Sequence, residues 1–360
     1  MIDQDITRIL IRAPNWIGDA VMCTPALMDI RECYPRATIT LLARPAIAEL
    51  LHGHPGINDV LLYQHQRTHA GILGKARLIR KLRSQKFQIA ILLQNAFEAA
   101  FLTMCAGIPE RWGYGTDGRS VLLSKAVPTS RNKKSIHQVR YYQLLIQQVL
   151  GRTLPRRMQL AAFDQDEECV NQRFPEIGAG KSEYVIGLNP GSVYGSSKRW
   201  VPGRFAELAD RVVDHIRQMA GSAATVKCVL VGGTGEESLA QTIASLMQET
   251  PIVLSGKTTL RELMVIIKRC SLFITNDTGP MHIAAAFNVP LVAIFGSTDP
   301  GYTAPFGWED AVVQDSVRCA PCFLRSCPID HRCMTQISVQ QAFDMALCQL
   351  SRNVKANHDA

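Results

Sequence analysis

The sequence has no apolar run of about 18 residues, which excludes a membrane-spanning helix. It also has no internal repeat or low-complexity tract, and only 19% of its residues are charged. Because 47% are hydrophobic, this composition excludes disorder, collagen and coiled coil as the main architecture. Asp3 and Asp5 lie where a signal peptide would carry basic residues, so we expect a cytoplasmic protein.

The net charge of +8 is unevenly distributed along the chain. Residues 1–165 hold 22 Lys and Arg against 11 Asp and Glu, whereas residues 166–360 hold 17 against 20. The basic first half indicates an anionic partner such as nucleic acid, a phosphorylated glycolipid or an anionic membrane surface, with a merely solvated surface as the alternative. No aromatic residues alternate with these basic ones, which argues against nucleic acid.

Strand-like and helix-like stretches alternate along most of the 360 residues, which is typical of parallel sheets joined by crossover helices. This length favours two domains. We predict an α/β protein with a first domain over 1–165, a linker over 166–182, a second domain over 183–337, and a C-terminal helix and tail over 338–360. Each domain is expected to be doubly wound and Rossmann-like, with the two facing a central cleft and ligands outside the carboxyl ends of the strands.

Three strand-to-helix junctions are rich in polar residues and glycine. The first runs through Asn15, Trp16 and Gly18 to Asp19, where glycine permits a tight turn. Two interpretations of Asp19 are open: a carboxylate that caps the following helix, or a general base that faces the cleft.

The second junction, 188–200, contains small residues that leave backbone N–H groups available, with positive charge from Lys198 and Arg199. Such a loop suits a phosphate or diphosphate, although it does not have P-loop spacing and a flexible surface loop is the alternative. The third junction is Thr275–His282. There Thr278 and Gly279 would present N–H groups at the positive end of a helix, whereas Asn276 or Asp277 could simply cap it.

Four of the eleven cysteines, Cys319, Cys322, Cys327 and Cys333, lie within fifteen residues, with His331 nearby. Three interpretations are open: thiols that pack or stay free, a bound zinc or iron–sulfur centre, and a disulfide. The spacing does not match a common zinc-finger or ferredoxin pattern.

Together these motifs resemble the ADP-heptose:lipopolysaccharide heptosyltransferases, glycosyltransferase family 9, and within that family most closely its type II members. The resemblance covers about residues 8 to 350. It rests on the stretches 14–19, 191–200, 276–282 and 296–300, and on 94–97 with 106–111.

The resemblance implies a GT-B fold and an inverting transfer of heptose from ADP-L-glycero-β-D-manno-heptose to the inner-core heptose of lipopolysaccharide. It places the catalytic base at Asp19. The residues that it assigns to the nucleotide sugar are Ser192, Lys198, Glu236 (or Glu237), Asp277, Thr278, Gly279, Pro280, Met281 and His282. For the acceptor we predict contacts from Asn15, Trp16, Gly18 and Arg111, and the basic first half offers Arg12, Arg44, Arg67 and Arg119 as further candidates.

We therefore expect no required cofactor, because ADP-heptose is the donor substrate, and no metal unless the cysteine cluster holds one. The expected partners are this donor, a phosphorylated lipopolysaccharide inner core and the inner membrane face at its periphery, with no nucleic acid. Transfer to another core acceptor, as by type I or III enzymes, remains open. So does a non-catalytic nucleotide- or metal-binding module built on the cysteine cluster.

Overall fold

The computed structural model describes residues 5–129, 136–178, 183–221 and 224–358. The chain divides into two compact units, Met1–Ala161 and Ala162–Ala360. Each unit is built around one six-stranded parallel sheet.

The first unit alternates strands and helices, as predicted. Its strands are β1 (Arg8–Arg12), β2 (Thr38–Ala43), β3 (Asp59–Leu62), β4 (Ile89–Leu92), β5 (Glu110–Tyr114) and β6 (Lys125–Val127). Its helices are α1 (Ile17–Met22), α2 (Thr24–Cys33), α3 (Pro45–Leu50), α4 (Gly71–Ser84), α5 (Phe97–Cys105) and α6 (Gln138–Leu150), with a 3-10 helix at Arg119–Leu122.

The second unit repeats this plan. Its strands are β7 (Glu183–Asn189), β8 (Thr225–Leu230), β9 (Ile252–Val253), β10 (Leu272–Asn276), β11 (Leu291–Phe295) and β12 (Val312–Gln314). Its helices are α7 (Asp164–Arg173), α8 (Pro202–Ala220), α9 (Glu237–Leu246), α10 (Leu260–Arg269), α11 (Gly279–Ala286), α12 (Pro300–Thr303), α13 (Arg332–Thr335) and α14 (Val339–His358), with 3-10 helices at Ser196–Lys198 and Glu309–Ala311.

The middle of each central strand is a continuous apolar run because helices cover both faces of each sheet. In the first unit, β4 is entirely buried, and the Ile9–Ile11 stretch of β1 is inaccessible to solvent. In the second, every residue of β10 and β11 is buried. This pattern, rather than an alternating one, confirms the predicted α/β class with two doubly wound units.

Both sheets have the same strand order relative to the chain. The first runs β3-β2-β1-β4-β5-β6, and the second runs β12-β11-β10-β7-β8-β9, which is the same order read from the other edge. The order reverses between β1 and β4 and between β7 and β10. Such a switch point leaves a crevice at the carboxyl ends of the two strands, where ligands bind in sheets of this kind.

The boundary between the units differs from the predicted one. It falls after Ala161 instead of after residue 165, and the predicted linker, 166–182, contains most of α7. This helix packs on α10 of the second unit, where Arg269 of α10 binds the Glu167 carboxylate at 2.6 Å. The polar composition that suggested a linker therefore belongs to a surface helix held by ion pairs. The predicted C-terminal helix is α14, which packs on α8 as part of the second unit.

Among the helices of the described residues, none is long and apolar enough to span a bilayer.

A buried histidine gives the first unit a predictable response to acid. His54 is buried just beyond α3, and burial lowers its pKa to about 4. Because an unfolded histidine titrates near pH ~6.5, only the unfolded chain gains a proton at this position between about pH 6.5 and 4. Stability should therefore fall as the pH falls through this window, by on the order of 3 kcal/mol from His54. Urea unfolding between pH 7 and 4 measures this.

The test variant is His54→Gln. The matched control is His52→Gln, because His52 lies two residues away and is exposed. We expect His54→Gln to flatten the dependence of the unfolding free energy on pH and His52→Gln to preserve it. A wild-type slope in His54→Gln would contradict this assignment.

Candidate functional site

Two buried asparagines join the loops at the switch point of the second unit. Asn276, the last residue of β10, donates to the Pro190 carbonyl oxygen at 2.7 Å and accepts from the Trp200 N–H at 3.2 Å. Asn189, the last residue of β7, donates to the hydroxyl oxygen of Thr278 at 2.7 Å. Neither Asn276 nor Asp277, the two residues considered as the helix cap, holds that position, since Thr278 is the N-cap of α11. The two asparagines fix the two loops to each other.

Lys198 and Asp277 form an ion pair between these loops. The Lys198 ammonium donates to the Asp277 Oδ2 oxygen, and the side chains are only 12% and 4% exposed. The Thr298 hydroxyl, from the loop after β11, donates to the same oxygen at 2.7 Å. Asp277 therefore holds Lys198 in place at the carboxyl edge of the sheet.

Ser192 and Glu236 both contact Arg199, the residue after Lys198: its guanidinium donates to the Ser192 carbonyl at 3.3 Å and lies 3.8 Å from the Glu236 carboxylate. Ser192 is buried, and its hydroxyl has no hydrogen-bond partner among the described residues. Glu236 accepts from the Gly233 N–H at 2.9 Å and lies against Gly191, where a Cβ atom would come within 2.2 Å of its carboxylate. Glu237 instead accepts from the Gly235 N–H at 2.7 Å. The structure thus brings Glu236, rather than Glu237, next to the Gly191–Ser192 loop.

The remaining residues predicted for the nucleotide sugar form the start of α11. Thr278, Gly279 and Pro280 are partly exposed at the positive end of this eight-residue helix, whereas Met281 and His282 are buried. The first three residues are placed to meet an anion directly. Met281 and His282 face the interior. Their predicted contact with the nucleotide sugar stays a prediction, and their burial does not favour it.

The cysteine-rich segment supports the loop that carries Lys198. The Tyr194 hydroxyl donates to the Phe323 carbonyl at 2.6 Å, and the Ser197 N–H donates to the Arg325 carbonyl at 3.1 Å. At Gly195 a Cβ atom would lie 2.1 Å from that same Arg325 oxygen, so only glycine permits this approach. His331 Nε2 completes the support with a hydrogen bond of 2.9 Å to the Ser197 carbonyl.

All eleven cysteines have free thiols, so the disulfide considered for this segment is not formed. Within the described ranges, no three His, Cys, Asp or Glu side chains are arranged to hold a metal ion. Burial first, and then the nearby thiols of Cys319, Cys322 and Cys327, raise the pKa of Cys333 to about 11. The four cysteines therefore lie in one region.

In the first unit, Arg12 holds the loop that follows β1. Its guanidinium is buried, lies 5.2 Å from the centre of the Tyr63 ring, and donates to the Ala13 carbonyl at 2.7 Å and to Asn15 Oδ1 at 2.9 Å. Burial lowers the pKa of Arg12 to about 10. Arg12 is thus a structural cation, and the predicted acceptor residue Asn15 is positioned by it.

Asp19 is the third residue of α1 and not its cap, because Trp16 holds the N-cap position. The hydroxyl of Tyr142, on α6, donates to Asp19 Oδ1 at 3.4 Å. The indole of Trp16 is 54% exposed, and Gly18 lies between the two in the first turn. The structure therefore brings Trp16, Gly18 and Asp19 together at the carboxyl edge of β1.

The other arginines considered for the acceptor differ in burial and in their position on the sheet. Arg119 is fully buried and donates to the carbonyl oxygens of Gln94 and Tyr114, so it holds the loop after β4. Arg111 lies near the amino end of β5, away from the carboxyl edge, and donates to the Leu122 carbonyl at 2.7 Å. Its predicted contact with the acceptor gains no support from this position. Arg44 is partly buried and Arg67 is exposed.

Sequence reasoning missed Asn189 and Tyr142 as site residues. A signal existed for Asn189, because it is a polar residue that ends an apolar strand beside the phosphate-type loop. For Tyr142 there was none, because it is one of several residues on an amphipathic helix, 123 positions away from Asp19.

Comparison with known proteins identifies the family. The model of glycosyltransferase family 9 (heptosyltransferase) matches residues 75–332. Lipopolysaccharide heptosyltransferase 2 of Escherichia coli K12 is 28% identical over 314 residues, which cover 85% of this chain and 88% of that protein. Lipooligosaccharide heptosyltransferase 2 of Campylobacter jejuni is 28% identical over 346 residues, covering 94% and 97%.

A solved structure agrees with these relatives. The structure of E. coli ADP-heptose lps heptosyltransferase II superimposes with a TM-score of 0.78 at 25% identity, covering 96% of this chain and 99% of that one. The family model alone spans more than two thirds of the chain. This chain is a glycosyltransferase that belongs to family 9, the heptosyltransferases.

Proposed function

We propose that this chain is a type II heptosyltransferase of lipopolysaccharide core biosynthesis. It transfers L-glycero-D-manno-heptose from ADP-L-glycero-β-D-manno-heptose to the inner-core heptose, with inversion at the anomeric carbon. The observation that carries the proposal is that the family's motif residues lie at the switch point of each sheet, Asp19 after β1 and Lys198 and Asp277 after β7 and β10. Ligand sites of doubly wound sheets occur at this location.

The second unit supplies the donor site. Lys198 and the N–H groups at the start of α11 stabilise the negative charge that the departing ADP gains. The buried hydroxyl of Ser192 donates to a diphosphate oxygen, and Glu236 accepts from a ribose hydroxyl. Asp277 acts through Lys198, since its carboxylate is already bound by that ammonium and by Thr298.

The first unit supplies the acceptor site and the base. The Asp19 carboxylate takes the proton of the acceptor hydroxyl, whose oxygen forms the new bond to the anomeric carbon while the bond from that carbon to the ADP oxygen breaks. Tyr142 orients the carboxylate by its hydrogen bond to Oδ1. Asn15, Trp16 and Gly18 line the loop that leads to it.

This arrangement requires no cofactor, because protein groups supply both the base and the charge stabilisation. The acceptor is phosphorylated, which suits the basic first half of the sequence. Since that acceptor is a lipid, we place the enzyme in the cytoplasm, at the periphery of the inner membrane.

Replacement of Asp19 tests the base. We expect Asp19→Ala to lower turnover at least about a hundredfold, the usual scale for a general base, while ADP affinity stays nearly unchanged. Heptose transfer to a one-heptose acceptor and ADP titration calorimetry measure the two effects. Asp59→Asn, at the amino end of β3, is the control. Near-normal turnover of Asp19→Ala would remove the base from this mechanism.

Replacement of Lys198 tests the donor site. Lys198→Met should weaken ADP binding and lower turnover, each at least tenfold, but it also leaves the buried Asp277 carboxylate unpaired and so destabilises the fold. The double variant Lys198→Met/Asp277→Asn should recover thermal stability without recovering ADP affinity. Lys268→Met, at the exposed end of α10, is the matched control. Unchanged ADP affinity in both Lys198 variants would exclude this lysine from the site.

Tyr142 is predicted to act by orienting the Asp19 carboxylate. Tyr142→Phe removes only the hydroxyl that binds Asp19, so we expect kcat to fall about three- to tenfold, the effect of one long hydrogen bond of 3.4 Å, with KM for ADP-heptose unchanged. Steady-state kinetics with each substrate varied make the distinction. An equal loss in the Asp19→Ala background would show that Tyr142 does not act through Asp19.

A further inference from the structure

The first unit exposes a set of apolar side chains that its core does not use. Ile72 and Leu73, at the start of α4, are 87% and 76% exposed, and Phe97 and Phe101 of α5 are 47% and 41% exposed. Met104 continues the line on α5, because positions i, i+4 and i+7 lie along one side of a helix. Soluble surfaces rarely expose a contiguous patch of such residues without a function.

These side chains belong to one surface. Helices α4 and α5 pack side by side and are tied near both ends, by the Lys75–Glu98 ion pair at 2.7 Å and by Arg83, which donates to the Cys105 carbonyl at 2.6 Å. The rings of Phe97 and Phe101 are nearly parallel, with centroids 6.3 Å apart. We call this surface, α4 with the exposed side of α5, the α4–α5 face.

The α4–α5 face is also strongly basic. Between Asp59 and Glu98 the chain has no acidic residue and seven basic ones, Arg67, Lys75, Arg77, Arg80, Lys81, Arg83 and Lys86. Of these, Arg77, Arg80, Lys81 and Arg83 are exposed on α4, whose buried side is Gly74, Leu78 and Leu82. Aromatic and aliphatic groups beside clustered cations match the boundary between lipid headgroups and acyl chains.

We propose that the α4–α5 face docks on an anionic phospholipid membrane. The apolar side chains enter the headgroup boundary and the arginines and lysines bind lipid phosphates. Phe97 directly follows the loop after β4, so the face adjoins the switch point of this unit. This inference rests on the proposed lipid acceptor, because docking here would hold the first unit's site at the surface in which that acceptor is embedded.

Vesicle flotation of the full chain tests the proposal. We expect binding to vesicles of phosphatidylglycerol and phosphatidylethanolamine, at least tenfold weaker binding to phosphatidylcholine vesicles, and a marked loss in 0.5 M salt, since salt screens exposed charges. Phe97→Ser/Phe101→Ser and Arg77→Gln/Arg80→Gln should each weaken the binding at least tenfold. Wild-type affinity in both double variants would overturn the proposal.

Matched controls separate this face from general surface effects. Met219→Ser/Ile329→Ser removes two exposed apolar side chains of the second unit, and Lys257→Gln/Arg318→Gln removes two exposed cations there. Both should float like the wild type. The variants of exposed arginines, lysines, Met219 and Ile329 should keep the wild-type thermal transition, whereas Phe97→Ser/Phe101→Ser should stay cooperatively folded with a lower transition, because about half of each ring is buried. If the face instead joined two copies of the chain, sedimentation without lipid would show a dimer that Phe97→Ser/Phe101→Ser dissociates, and the membrane proposal would be wrong.

A second readout distinguishes failure of this inference from failure of the proposed function. Phe97→Ser/Phe101→Ser should transfer heptose to a deacylated, water-soluble acceptor at the wild-type rate and lose activity only on acceptor embedded in vesicles. Transfer by a wild-type protein that binds no vesicle would refute the membrane face alone. Vesicle binding without transfer to any acceptor would refute the function alone.

Discussion

The ion pair between Lys198 and Asp277 is the interaction on which the second unit's site depends. Both charges are almost completely removed from water, so each needs the other, and loss of one partner from such a pair typically costs about 3–5 kcal/mol. The lysine comes from the loop after β7 and the aspartate from the loop after β10, while Thr298 joins them from the loop after β11. The pair thereby fixes an ammonium group where three strands end, so the proposed mechanism has a preorganised charge rather than a mobile one.

The first unit organises the same place in its sheet by different chemistry. There, two buried arginines donate to the backbone oxygens of the loops after β1 and β4, Arg12 to Ala13 and Arg119 to Gln94. A guanidinium has five donors in a rigid plane, so it satisfies several carbonyls that would otherwise be buried without partners. These hydrogen bonds fix the two loops, and the exposed cations of α4 are left available to the anionic partner proposed for this unit.

Much of this could be predicted from the sequence because parallel sheets impose simple patterns. Apolar strands that end in polar loops located Asp19, Lys198 and Asp277 at the carboxyl edges, and the structure brings the last two into contact. Contacts that depend on tertiary packing could not be predicted, since nothing local to Tyr142 indicates its hydrogen bond to Asp19.

The boundary at Ala161 differs from the predicted one for a related reason. The charges of α7 looked like those of a linker, and only their partners on α10 identify a packed helix. The cysteine cluster had left open whether the chain is an enzyme or a non-catalytic binding module. The family match decides this in favour of an enzyme.

The most direct test of the account is heptose transfer by the wild-type protein to three acceptors that carry no, one or two inner-core heptoses. Mass spectrometry gives the number of heptoses added, and NMR gives the anomeric configuration of the new linkage. The account predicts one added heptose, α-linked, on the one-heptose acceptor only, with release of ADP. Transfer confined to the acceptor without heptose, or no transfer to any acceptor by a protein that binds ADP, would contradict it.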